Sequence, residues 1–184
     1  MQAQGQVQTL VKHFFSSMES NHDFRRAQAS GVLSIPVMDI WQQRPFVTHI
    51  VPVWTRPRYN HFLVFHLQLA NFCAWAIDYP LVPQGTARVR LVFHANNTIE
   101  QVEELARLVC GWAAEMMDIE EGKTGDIKIP KAAQRVYAYL TGEVVGGEYK
   151  EPVNGKVEAT APPKSMDITA NGSDMANGET LVRN

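Results

Sequence analysis

Tyr79-Pro80-Leu81-Val82-Pro83-Gln84-Gly85-Thr86-Ala87-Arg88-Val89-Arg90 passes from a stiff extended approach, through a turn, into a strand. The two prolines hold a non-helical path, and Gly85 permits the chain to reverse. Ala87, Val89 and Leu91 then alternate with Arg88, Arg90 and Val92 at the period of two that a strand imposes. Arg88 and Arg90 therefore share one face. A guanidinium carried on a sheet is held in a fixed direction, and its fork matches a carboxylate through two parallel hydrogen bonds.

Upstream of this stretch, Val7, Leu10, Val11, Phe14 and Met18 recur at helical spacing and predict an amphipathic helix over residues 6–19. Residues 20–31 read as a polar interval. Residues 32–37 and 48–54 read as strands, and Pro36 and Pro52 predict edge positions for both. A helix over residues 57–71 follows, opened by Pro57 and apolar on nearly every face, which predicts that it is sandwiched between a sheet and a second body. Residues 73–78 read as the strand that leads into Tyr79-Pro80.

Downstream, Thr98 followed by Gln101 is a capping box. It opens a helix whose apolar stripe runs through Val102, Leu105, Ala106, Val109 and Ala113. A short extra helix is expected over residues 130–140, closed by Gly142. The composition of residues 143–184 is rich in Gly, Pro, Asn and Thr, which predicts a disordered tail. The domain plan is therefore residues 1–121 as one folded unit, 122–142 as a helical extension and 143–184 as tail. The fold class is α/β: a two-layer sandwich of a small sheet with helices on one face.

The chain has 184 residues, 45% of them hydrophobic, and a net charge of −2. That balance offers no basic field for nucleic acid, and no apolar run reaches the ~20 residues that span a bilayer. Cys73 and Cys110 sit in segments that read as buried, and their separation suits neither a disulfide framework nor a metal site. The N-terminus lacks the pattern of a secretory signal, so a reducing, cytoplasmic setting is expected. His61 and His66 are five apart, which does not place two ligands on one helix face, so no metal site is assigned.

The pattern from Pro80 and Pro83 through Gly85-Thr86-Ala87-Arg88-Val89-Arg90, followed by a strand and a capped amphipathic helix, resembles the C-terminal domain of the α-oxoamine synthases. These are class II aminotransferase-like, pyridoxal-phosphate enzymes of fold type I, typified by 8-amino-7-oxononanoate synthase and serine palmitoyltransferase. The resemblance extends more loosely over residues 7–117. It implies a biosynthetic, homodimeric acyltransferase that condenses an amino acid with an acyl thioester, with loss of carbon dioxide. It also implies that Arg90 holds the amino acid's α-carboxylate, with Arg88, Asp78 and His94 as candidate cleft-lining residues.

The family binds its cofactor through a lysine in a large domain that precedes this one, and no lysine in the matching stretch stands in such a setting. Lys12 falls in the first predicted helix, and Lys123, Lys128, Lys131, Lys150, Lys156 and Lys164 follow the matching region. The expectation is a chain without catalytic residues of its own that needs the missing large domain or a partner subunit. Alternatives are a non-catalytic interaction module that covers a partner with the helix over residues 57–72, and an amino-acid-binding remnant lacking the Schiff-base lysine. Asp78 stands where 8-amino-7-oxononanoate synthases carry an arginine, which argues against acyl donors with a free terminal carboxylate. Asn97 takes the place of a histidine common in the family.

Overall fold

Helix α1, Gln2–Ser20, buries Leu10, Val11, Phe14, Phe15 and Met18 along one stripe, as the spacing predicts. The chain then does something the sequence reading did not anticipate. Within the polar interval lies a second helix, α2, His22–Ser30. Asn21 caps it, its side-chain oxygen accepting from the N–H groups of Asp23 and Phe24 at 2.8 and 3.2 Å. Gly31, with φ of 76°, ends it in the left-handed conformation. Only Phe24 and Ala27 of α2 are buried, too few to register as a periodic stripe. The computed structural model describes residues 2–142; the expected tail, residues 143–184, lies outside the described residues.

Four strands follow in two pairs: β1, Leu33–Ser34, and β2, Ile50–Thr55, then β3, Trp75–Ile77, and β4, Arg88–Val92. They form one antiparallel sheet in the order β1-β2-β4-β3. β1 is an edge strand, as expected, but it ends at Ser34, short of the expected residue 37, and Pro36 instead opens a 3-10 turn, Pro36–Met38. Pro52 does not lie on an edge strand, which corrects the expectation for β2. The Phe93 N–H donates to the His49 carbonyl at 2.9 Å. In the antiparallel ladder this turns the backbone of residues 49, 51 and 53 toward β4 and the nitrogen of Pro52 away from it. On that far side β1 pairs only with Trp54 and Thr55. The missing N–H of Pro52 therefore costs no ladder bond.

Between the strand pairs runs α3, Tyr59–Leu69, and after β4 come α4, Ile99–Glu120, and α5, Lys131–Thr141. The capping box of α4 is present, with Thr98 Oγ1 accepting from the Gln101 N–H at 3.3 Å and Gln101 Oε1 accepting from the Thr98 N–H at 3.1 Å. Val51, Val53, Val89 and Leu91 point from the sheet into a core shared with α1, α3 and α4, where Phe14 meets Phe93 at 5.2 Å between ring centroids. The helices thus cover one face of the sheet and leave the other open, a two-layer α/β arrangement.

The body on the far side of α3 is α5. Phe65 and Tyr137 meet edge to face at 6.0 Å. The Glu115 carboxylate of α4 accepts from the Lys131 N–H at 2.7 Å, supplying the cap that Pro130 cannot. No helix among the described residues is long and apolar enough to cross a membrane.

Candidate functional site

The open face of the sheet collects the residues that β2, β3 and β4 turn away from the core. On β4, Val89 and Leu91 are buried while Arg88, Arg90 and Val92 face outward. Arg88 lies between Trp54 and Ile77, and its guanidinium stands 5.6 Å from the centre of the Trp54 ring. Arg90 lies between Pro52 and Trp75. Its side chain makes no hydrogen bond or ion pair among the described residues. Two arginines two positions apart thus differ in kind: Arg88 has an aromatic partner within the fold, and Arg90 has none.

Two clefts meet at Arg90. One, of about 620 Å³, lies on the open face among Val37, Pro52, Ile77, Leu81 and both arginines. The other, of about 610 Å³, lies where the 70–74 connector leaves the sheet, between the end of β4 and the first turns of α4. His94 borders this second cleft with Arg90. No acidic residue lines either cleft. An uncompensated guanidinium on an inner strand, walled by apolar side chains, favours an anionic ligand with a planar head.

The structure brings Arg90, Arg88 and His94 to these clefts and places Asp78 apart. Asp78 borders a separate hollow of about 220 Å³ with Arg58, Tyr79 and Pro83. Its carboxylate accepts from the Asn60 side-chain amide at 2.7 Å and pairs with His61 Nε2 at 2.9 Å. Asn60 is buried at the start of α3, so Asp78 has a fold-holding role of its own. Asn97 likewise serves the backbone: its Oδ1 accepts from the His94 N–H at 2.8 Å, shaping the approach to α4.

Groups whose protonation the fold moves lie elsewhere. Burial, reinforced by a hydrogen bond to Glu120, pushes the Tyr59 hydroxyl up to about 12. Burial also pushes the Cys110 thiol up to about 12 and holds His66 below its ordinary value. None of these three borders the clefts at Arg90. Among the described residues there is no group of three or more His, Cys, Asp or Glu side chains placed to hold a metal ion. Sequence reasoning missed two features: Cys73, expected to be buried, is exposed, and Trp75 lies 65% exposed beside Arg90. Cys73 is exposed because β3 begins only at Trp75, and Trp75 is exposed because it lies opposite Arg90 on the open face.

No family model matches the chain. Two curated relatives do. The chain is 52% identical over 138 residues to a protein named aminoacyl transferase sphA from Aspergillus fumigatus, and 50% identical over 139 residues to one of the same name from Byssochlamys spectabilis. Each match takes in 75% of this chain. It spans only 29% of the length of either relative.

Proposed function

We propose that this chain forms the C-terminal, substrate-binding part of an acyltransferase of the α-oxoamine synthase type, in which Arg90 holds the carboxylate of an amino-acid substrate. The observation that carries the reading is the unpaired Arg90 guanidinium, set on an inner strand at the junction of two clefts without an acidic residue. The names of the two relatives, aminoacyl transferases at about half identity, support a transferase. In the complete enzyme, pyridoxal phosphate would supply the means of breaking the bond to the carboxylate and joining the acyl group.

The described residues do not fit a covalent seat for that cofactor. No lysine borders either cleft at Arg90, and Lys131 lines a groove between α4 and α5 instead. The seat is accordingly assigned to a portion corresponding to the part of the relatives that this chain does not span. The role of this chain is orientation: a carboxylate gripped by both oxygens fixes the direction of its bond to the α-carbon. The same absence of a lysine favours a second reading for the chain by itself, that of a module which binds an amino acid and does not convert it.

Residues 1–142 of this chain, grafted into the Aspergillus fumigatus relative in place of the matching segment, test the proposal. Amino-acid-dependent release of free thiol from acyl thioesters is expected. Arg90→Ala should raise the amino-acid KM about 30-fold or more, the equivalent of losing ~2 kcal/mol or more from a bidentate charge pair. Arg90→Lys should recover little, because a point charge lacks the fork. Turnover with an unchanged KM removes Arg90 from the carboxylate. A folded graft without turnover overturns the transferase reading.

A further inference from the structure

β3 ends at Ile77 and β4 begins at Arg88, so residues 78–87 form the loop that joins them. Two turns shape it. The Leu81 and Val82 N–H groups donate to the Asp78 carbonyl at 2.9 and 3.3 Å, and the Thr86 N–H and hydroxyl both donate to the Pro83 carbonyl, at 3.1 and 2.7 Å. Leu81, 79% exposed, and Val82, buried, stand between the turns and wall the 620 Å³ cleft together with Arg88 and Arg90.

The turns fix the loop within itself and leave its placement beside the cleft open. Among the described residues, its side-chain hydrogen bonds and ion pairs to the helical layer all converge on the Asp78 carboxylate. Asn60 Nδ2 donates to Oδ1 at 2.7 Å and His61 Nε2 meets Oδ2 at 2.9 Å, both from the first turn of α3. Asp78 thus carries the loop's first turn on its carbonyl and the anchorage to α3 on its carboxylate. Asn60 is 1% exposed, and its buried Oδ1 has no partner among the described residues. An apolar side chain would fill that position without leaving an amide oxygen bare. Packing alone therefore does not account for an asparagine there, whereas the grip on Asp78 does.

We propose that Asn60 and His61 are positioning residues for the site at Arg90: by clasping Asp78 from α3 they hold the 78–87 loop where Leu81 and Val82 close one side of the cleft. Neither borders the cleft itself. The nature of the ligand rests on the reading given above, whereas the clasp rests on contacts within the chain. A loosely held wall weakens binding in the ground state and the transition state alike, so loss of the clasp raises KM and spares kcat.

The full chain labelled with nitrogen-15, together with the graft into the Aspergillus fumigatus relative, provides the test. In the full chain, Asp78→Ala is expected to speed hydrogen exchange at the Leu81 and Val82 amides about tenfold. It should also weaken benzoate, a planar carboxylate followed through the Arg90 amide signal, about fivefold, less than loss of the guanidinium itself. In the graft it should raise the amino-acid KM about fivefold and change kcat less than about twofold. Asp78→Asn should restore both readouts, since its amide can accept from Asn60 and donate to a neutral His61. Asn21→Ala, which uncaps α2 and leaves the clasp intact, should not move KM. If Asp78→Ala does not fold, His61→Ala, at a side chain 54% exposed, must show the same pattern at about threefold. Unchanged exchange at Leu81 and Val82 overturns the proposal. So does faster exchange with KM and benzoate affinity unmoved, or an equal rise of KM in Asn21→Ala. A parent graft without turnover sinks the transferase reading, and benzoate then decides the clasp: weaker binding in Asp78→Ala upholds it, while equal binding, or none to the parent chain, overturns it.

Discussion

Arg88 and Arg90 show how much a single residue's setting decides. The alternation of β4 places both on the open face, and this much was legible from Ala87-Arg88-Val89-Arg90-Leu91 alone. What separates them is the neighbour across the strand, Trp54 for Arg88 and Pro52 for Arg90, and that depends on a register set by residues almost forty positions away. The expected outcome is a division of labour. Arg88→Ala should lower stability by about 0.5–1 kcal/mol through loss of its contact with Trp54. Arg90→Ala should leave the urea midpoint unchanged, since no described group depends on it. Equal losses in the two denaturation curves would show that Arg90 is part of the fold's own framework. Asp78 carries the complementary lesson. Its position in the sequence suggested a group facing an acyl donor, yet Asn60 and His61 reach it from α3, a contact no local pattern announces.

At the scale of elements, legibility followed the strength of local signals. α4 has a capping box and a long apolar stripe, and it formed where both predict. α1 and β4 likewise carry enough periodic positions to declare their type. α2 does not. With two buried residues its hydrophobic pattern is nearly silent, and its evidence lies at its ends, in Asn21 and Gly31. A helix so dependent on its termini should be sensitive there: Asn21→Ala is expected to cost about 1 kcal/mol, and Asn21→Gly only a few tenths. Urea unfolding monitored by circular dichroism checks this, and a neutral Asn21→Ala would mean that packing of Phe24 and Ala27 holds α2 without the cap. Pro52 misled for a related reason. A proline forbids one ladder bond, and an inner strand tolerates it wherever the neighbour on that side is as short as β1.

For the whole molecule, the decisive asymmetry is between the two faces of one small sheet. The helical face was legible, because the apolar stripes of α1 and α4 and the largely apolar α3 must be buried against something. The identity of the body covering α3 was not, since a helix apolar on most faces says that it is covered without saying by what; the answer is α5, from the same chain. The open face escaped notice because its apolar members, Ile50, Trp75 and Val92, are scattered across three strands and become a surface only when the sheet assembles. The two faces should respond to substitution in opposite ways. Phe14→Ala empties a fully buried site against Phe93 and is expected to cost about 3–5 kcal/mol. Trp75→Ser removes a larger side chain that is 65% exposed, so its effect should stay within about 0.5 kcal/mol. Quenching by acrylamide should identify Trp75 as an accessible indole in the chain alone and find it protected once the segment is grafted into the Aspergillus fumigatus relative. If Trp75→Ser unfolds the chain as readily as Phe14→Ala, the face that carries Arg90 is closed by the chain itself, and neither the carboxylate site nor the clefts beside it are open to a ligand.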